Sequence, residues 1–131
     1  MATKTKKSEE SAVDHHTCRQ SLSSIEDALY VIGGKWKLKI IIALRESGPQ
    51  RFNELQRLIK GISARVLSNE LKDLEMNGFV QRTIHAKTPV LVEYSLTGYG
   101  DTLNGLLKEL VVWGANHREK ILRESRLARI E

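Results

Sequence analysis

The sequence predicts a mainly α-helical fold with one small β-hairpin, on three observations. Apolar residues recur at helical spacing on both sides of a central segment. The period turns strand-like between Phe79 and Leu96, where Val, Ile, Thr and Tyr are frequent. Strands do not alternate with helices, which excludes a parallel-sheet nucleotide-binding fold. A chain of 131 residues, 40% of them hydrophobic, suits one compact domain with tails and is too apolar for wholesale disorder.

Ser24, followed by Ile25, Leu29 and Ile32, predicts a first short helix stopped by Gly33-Gly34. Trp36, Ile40, Ala43 and Leu44 define a second, with Lys35, Lys37 and Lys39 near its start and Ser47-Gly48-Pro49 at its end. Gln50 to Phe52 reads as a very short strand. Asn53 with Gln56 forms a candidate capping box for a third helix, whose core face is Leu55, Leu58 and Ile59 and which Gly61 closes. Ser63 is the expected N-cap of a fourth helix running to about Asn77 before Gly78.

Phe79 to His85 and Val90 to Leu96 then read as the hairpin, turning at Ala86-Lys87-Thr88-Pro89. Thr97 is expected to cap a long last helix in which Leu103, Leu106, Leu107, Leu110 and Val111 share one stripe that Ile121 and Leu122 extend. The expected organisation is a flexible tail over 1–22, one domain over 23–124 and a short tail over 125–131.

Net charge is +5, and its distribution is uneven. Residues 1–17 are balanced, whereas Lys35 to Lys72 hold nine basic residues against three acidic ones, and Asp101 to Glu131 hold six against five. The middle of the chain therefore points towards an acidic partner, and the last helix towards packing. The longest uninterrupted apolar run, Ile40 to Leu44, is far short of a membrane span, and no apolar stretch follows the basic N-terminus, so a cytoplasmic chain is expected.

Two short helices joined by Gly61-Ile62-Ser63 and followed by a hairpin form the layout of a winged helix-turn-helix. At about 100° per residue, Leu67, Leu71 and Leu74 fall on one side of the second helix of the pair, and Arg65, Ser68, Asn69 and Lys72 on the other. These outward residues suit a DNA groove: Arg bonds guanine bidentately, Asn pairs with adenine, and Ser or Lys reaches phosphate. Ser63 at the start of that helix, Arg82 and Lys87 in the hairpin, and Arg51 are further candidate contacts. A winged-helix module binding an acidic protein is the alternative, though it favours a more apolar outward face.

The segments Glu26-Asp-Ala-Leu-Tyr-Val-Ile-Gly-Gly-Lys-Trp36, Gly48-Pro-Gln-Arg-Phe-Asn-Glu-Leu55, Gly61-Ile-Ser-Ala-Arg-Val-Leu-Ser68, Val92-Glu-Tyr-Ser-Leu-Thr97 and Trp113-Gly114 resemble the HxlR-type, MarR-like family of bacterial winged-helix transcriptional regulators. The resemblance covers roughly Ser23 to His117. It implies a homodimer that binds duplex operator DNA, reads it with the helix at Ser63 to Asn77, and pairs through its first and last helices. The apolar stripe of Leu103, Leu106, Leu107, Leu110 and Val111 is the expected dimer interface, and a two-fold dimer predicts an operator with an inverted repeat. Many similar proteins carry a cysteine where this chain has Ser23. In redox-responsive ones the N-terminal cysteine is the sensor.

Cys18 is the single cysteine here, which excludes an intrachain disulfide. With His15, His16 and Arg19 beside it, it is the candidate redox sensor, an inert thiol being the alternative. His15, His16 and Cys18 match no established zinc spacing, so neither metal nor cofactor is expected. A cysteine-dependent enzyme is not expected either, because no orienting residue or oxyanion donor is identifiable. Trp36 and Trp113 are expected in core or interface packing, with an effector pocket as the other reading. His85 and His117 show no partner in the sequence and are read as surface residues.

Overall fold

A computed structural model describes residues 2–130, with side chains from Thr17 onward. The chain divides into two compact units, Met1–Lys35 and Trp36–Glu131. The first unit is built on α1 (Ala2–Ile32), which ends before Gly33 as its glycine pair predicts. Its start differs from expectation. The helix begins at Ala2, not near Ser24, and nothing between Ala2 and Ile32 is Gly or Pro, so no local signal stops it short of Ser24. Among the side chains described on α1, Leu22, Ile25, Leu29 and Tyr30 are exposed.

The second unit runs α2 (Lys37–Ser47), α3 (Phe52–Leu58), α4 (Ala64–Met76), β1 (Val80–His85), β2 (Leu91–Leu96), α5 (Gly98–Asp101) and α6 (Asn104–Ile130). Its core gathers Ile40, Ile41 and Leu44 of α2, Leu55 of α3, Ile59 and Ile62 of the turn, Leu67, Leu71 and Leu74 of α4, then Phe79, Val80 and Leu107. Each large aliphatic side chain removed from water in this way contributes roughly 1.5–3 kcal/mol before the entropy of ordering is charged against it. No helix among the described residues is long and apolar enough to cross a membrane.

The helix-turn-helix is formed by α3 and α4. Gly61 takes φ 84° between them, a left-handed conformation that glycine adopts without a side-chain clash. The N-cap of α3 is Arg51, in extended conformation, not Asn53, which lies inside the helix. Consequently the expected Asn53 capping box does not form. Leu58 is 51% exposed, so the core face of this seven-residue helix narrows to Leu55, with Ile59 beyond its end.

Strands β1 and β2 pair antiparallel from Val80 opposite Leu96 to His85 opposite Leu91, and this hairpin is the wing. The expected third strand is reduced to Gln50, whose N–H and C=O both bond Tyr94, at 2.9 and 2.8 Å. After β2, Thr97 caps a short α5 rather than the long helix, its hydroxyl oxygen accepting from the Gly100 amide at 3.0 Å. Gly100 is buried against the Phe79 carbonyl, where a Cβ would collide with backbone. The long helix α6 therefore starts at Asn104, runs unbroken through Gly114 and takes in residues 125–130.

Candidate nucleic-acid interface

The placement of α4 follows from its two ends and its period. The Ser63 hydroxyl accepts the Val66 amide at 3.2 Å, so this residue serves as the N-cap. From that start, Leu67, Leu71 and Leu74 are drawn into the core, and Arg65, Asn69 and Lys72 are left exposed on the opposite side. Ser68 lies half-buried at the border. Phe79 and Val80, buried directly after α4, hold the wing against the helix that precedes it.

Helix and wing meet in an open cleft of about 310 Å³ lined by Ser68, Leu71, Lys72, Glu75, Arg82 and Tyr94. Three sequence candidates, Ser68, Lys72 and Arg82, are thus brought together. Tyr94 had no signal of its own in the sequence; only the strand register, which sets it opposite Arg82, draws it into this group. Lys87 is exposed at the hairpin tip and does not line the cleft. Arg51 is exposed at the start of α3 and pairs with Glu54 at 3.6 Å.

A second charged cluster lies on the other flank of α4. The Lys37 ammonium, on the first residue of α2, is 2.8 Å from Glu70 Oε2 and 3.6 Å from Asp73 Oδ2. Its Nζ is held more basic than an ordinary lysine, chiefly by the hydrogen bond to Glu70; burial opposes this, and the charges of Glu70 and Asp73 add to it.

The remaining candidates scatter. Of the expected interface residues, Leu107 is instead 2% exposed in the core of the chain itself, Leu103 is half-buried, and Leu106, Leu110 and Val111 are exposed on α6 beside Val112 and Trp113. Trp113 stacks on His117 with ring centroids 5.0 Å apart, and Lys39 lies over the Trp36 ring at 5.0 Å. His85 is also partnered, its Nε2 lying 2.9 Å from Glu93 Oε1 on the neighbouring strand. Neither partner is visible in the sequence, which does not display helix-face or cross-strand neighbours directly. Cys18 is a free, exposed thiol on α1; the side chains of His15 and His16 lie outside those described. No cluster of metal-ligating side chains occurs among the described residues.

This arrangement of α3, turn, α4 and wing is a winged helix-turn-helix domain of a transcriptional regulator. Residues 31–122 match the model of the HxlR-like helix-turn-helix family. The chain belongs to that family, whose members are transcriptional regulators and not enzymes. It is 42% identical over 98 residues to the HTH-type transcriptional regulator YtcD of Bacillus subtilis, covering 75% of this chain and 77% of that protein. Among solved structures, the redox regulator HypR in its reduced form superposes with a TM-score of 0.70 at 37% identity, covering 76% of this chain and 98% of that one. A MarR-family transcriptional regulator from Enterococcus faecalis gives 0.67 at 39% identity, covering 78% and 92%.

Proposed function

We propose that the chain regulates transcription as a homodimer that binds double-stranded operator DNA in a sequence-specific way, with α4 entering the major groove. The observation that carries this reading is the exposed polar face of α4, Arg65, Asn69 and Lys72, lying next to a wing whose Arg82 shares a cleft with Lys72. Arg65 and Asn69 have the donors and acceptors to read base edges, and Lys72, Arg82 and Ser68 suit phosphate oxygens. Lys87 and Arg51 are assigned outer backbone contacts.

Dimerisation is supported by the apolar residues left exposed on the two terminal helices. On α6 these are Leu106, Leu110, Val111, Val112 and Trp113, more than a single small domain leaves in water without a partner. A two-fold dimer presents two copies of α4, so the operator is an inverted repeat with half-sites about one helical turn, roughly 34 Å, apart. HypR is a redox regulator, and the exposed Cys18 is the group through which an oxidant would act on this chain.

Selection of bound fragments from a genomic duplex library tests the reading. Recovery of a common inverted repeat is the expected result. Enrichment no better than that of a bulk basic protein would overturn it.

A further inference from the structure

On its own, α4 is a poor helix to bring to DNA. Arg65 and Lys72 are set against Glu70, Asp73 and Glu75, so the helix carries a net charge of −1. Carboxylates near a phosphate backbone oppose approach, and two of these three are gathered by one residue from another element. At about 100° per residue, Glu70 and Asp73 fall on the flank opposite Ser68 and Glu75, which line the wing cleft. On that flank both face Lys37.

We infer that Lys37, which lies off the proposed DNA-reading face, is a positioning residue for DNA recognition: it neutralises Glu70 and Asp73 and fixes that flank of α4 to the start of α2. This role rests on the reading of α4 as the DNA-reading helix. Two further observations agree with it. Oε2 of Glu70 is shielded from solvent although its side chain is 23% exposed as a whole, so loss of Lys37 leaves a partly buried carboxylate oxygen without its counter-ion. The N-terminus of α2 has no acidic residue in its first turn and no side-chain cap, so the carboxylates of α4 are also the negative charge that this helix end favours. The side chain of Lys37 is only 15% exposed, which suits an internal counter-ion better than a phosphate contact.

The test is equilibrium binding of the full chain to its selected operator and to an unrelated duplex, over a range of salt concentrations. Lys37→Met should lower the preference for operator over unrelated duplex by about tenfold, the scale of one unit charge acting across roughly 10 Å at a protein surface. Lys37→Arg should retain the preference, and adding Glu70→Gln to Lys37→Met should restore most of it. The dependence of log affinity on log salt should stay close to that of the unaltered chain. Lys37→Gln keeps a hydrogen-bond donor while removing the charge; it should show the same loss and serves if the methionine variant does not fold.

Unchanged preference in the neutral variants overturns the role. So does a loss that Glu70→Gln does not reverse and that flattens the salt dependence by about one unit, the mark of a phosphate contact. An equal fall in both affinities, in proportion to the fraction folded, reduces Lys37 to a stabilising residue and overturns it as well. Failure of the unaltered chain to select any duplex removes the DNA reading itself and this role with it, a result distinct from unchanged binding by the variants.

Discussion

The Thr97 hydroxyl donates to the carbonyl of Gly78 while its oxygen accepts from Gly100, so one side chain closes the wing at both its entry and its exit. Gly78 follows α4 and Thr97 follows β2, and the Thr97 amide bonds the Phe79 carbonyl at 3.1 Å beside them. The angle at which the hairpin leaves the helix-turn-helix is fixed at this point.

Thr97→Val keeps the shape and removes both side-chain hydrogen bonds, leaving a partly buried carbonyl and amide without their partner. We expect a loss of about 1–3 kcal/mol in unfolding free energy, read from urea denaturation, with Thr97→Ser close to the unaltered protein. Equal midpoints for the valine and serine variants would show that the hydroxyl holds nothing.

Base reading and phosphate grip should separate under mutation of α4. Arg65→Ala is expected to weaken operator binding by roughly 1–3 kcal/mol and to relax preference at one base pair. Lys72→Ala should weaken operator and unrelated duplexes alike and lower the salt slope by about one unit. Binding titrations at several salt concentrations decide it; unchanged affinity in both variants would move the interface off this face.

The leucines of α6 divide by exposure. Leu106→Asp combined with Leu110→Asp should give a folded monomer by light scattering, since both side chains are accessible in the single subunit. Leu107→Ala should instead destabilise the subunit itself, by about 2–5 kcal/mol. A dimer that persists in the double aspartate variant would place the interface elsewhere.

Lys37 predicts an alkaline limit to stability. Its folded-state pKa lies above the ordinary 10.5, so its contribution is fully present below that pH and is lost as pH rises through the higher folded value. The difference in urea midpoint between the unaltered protein and Lys37→Met should therefore be constant from neutral pH to about 10 and shrink above 10.5. A difference that does not change with pH would remove the ion pair as its source.

Much of this was legible in the sequence because it depends on neighbours along the chain. Leu67, Leu71 and Leu74 oppose Arg65 and Asn69 by helical period alone, and Ser63 and Gly61 mark the turn by side-chain chemistry and backbone freedom. What escaped depends on partners distant in sequence. Tyr94 enters the cleft through strand register, and Lys37 meets Glu70 only after two helices have packed. Thr97 is a cap, as its side chain predicts, but of α5 and not of the long helix, because the close approach of Gly100 to Phe79 is a tertiary contact that permits a separate short turn before α6. Leu107 shares its stripe with Leu106 and Leu110 in sequence; burial within the subunit separates it from them.

The reciprocal pair of backbone hydrogen bonds between Gln50 and Tyr94 has an entropic consequence for association. It anchors the second strand to the corner between α2 and α3, so the root of the hairpin is already ordered in the free protein. Outside the strand ladder lies the turn at 86–90, where the Lys87 N–H bonds the His85 carbonyl, so ordering on contact with a partner would fall mainly there. On the proposed DNA interface, Arg82, paired across from Tyr94 at the anchored root, would meet phosphate with little loss of backbone entropy, whereas Lys87 at the tip would bear an ordering cost of about 1–2 kcal/mol for each residue that must be fixed. Two charges on one hairpin would be unequal for that reason, the inner one giving more of its interaction energy to affinity.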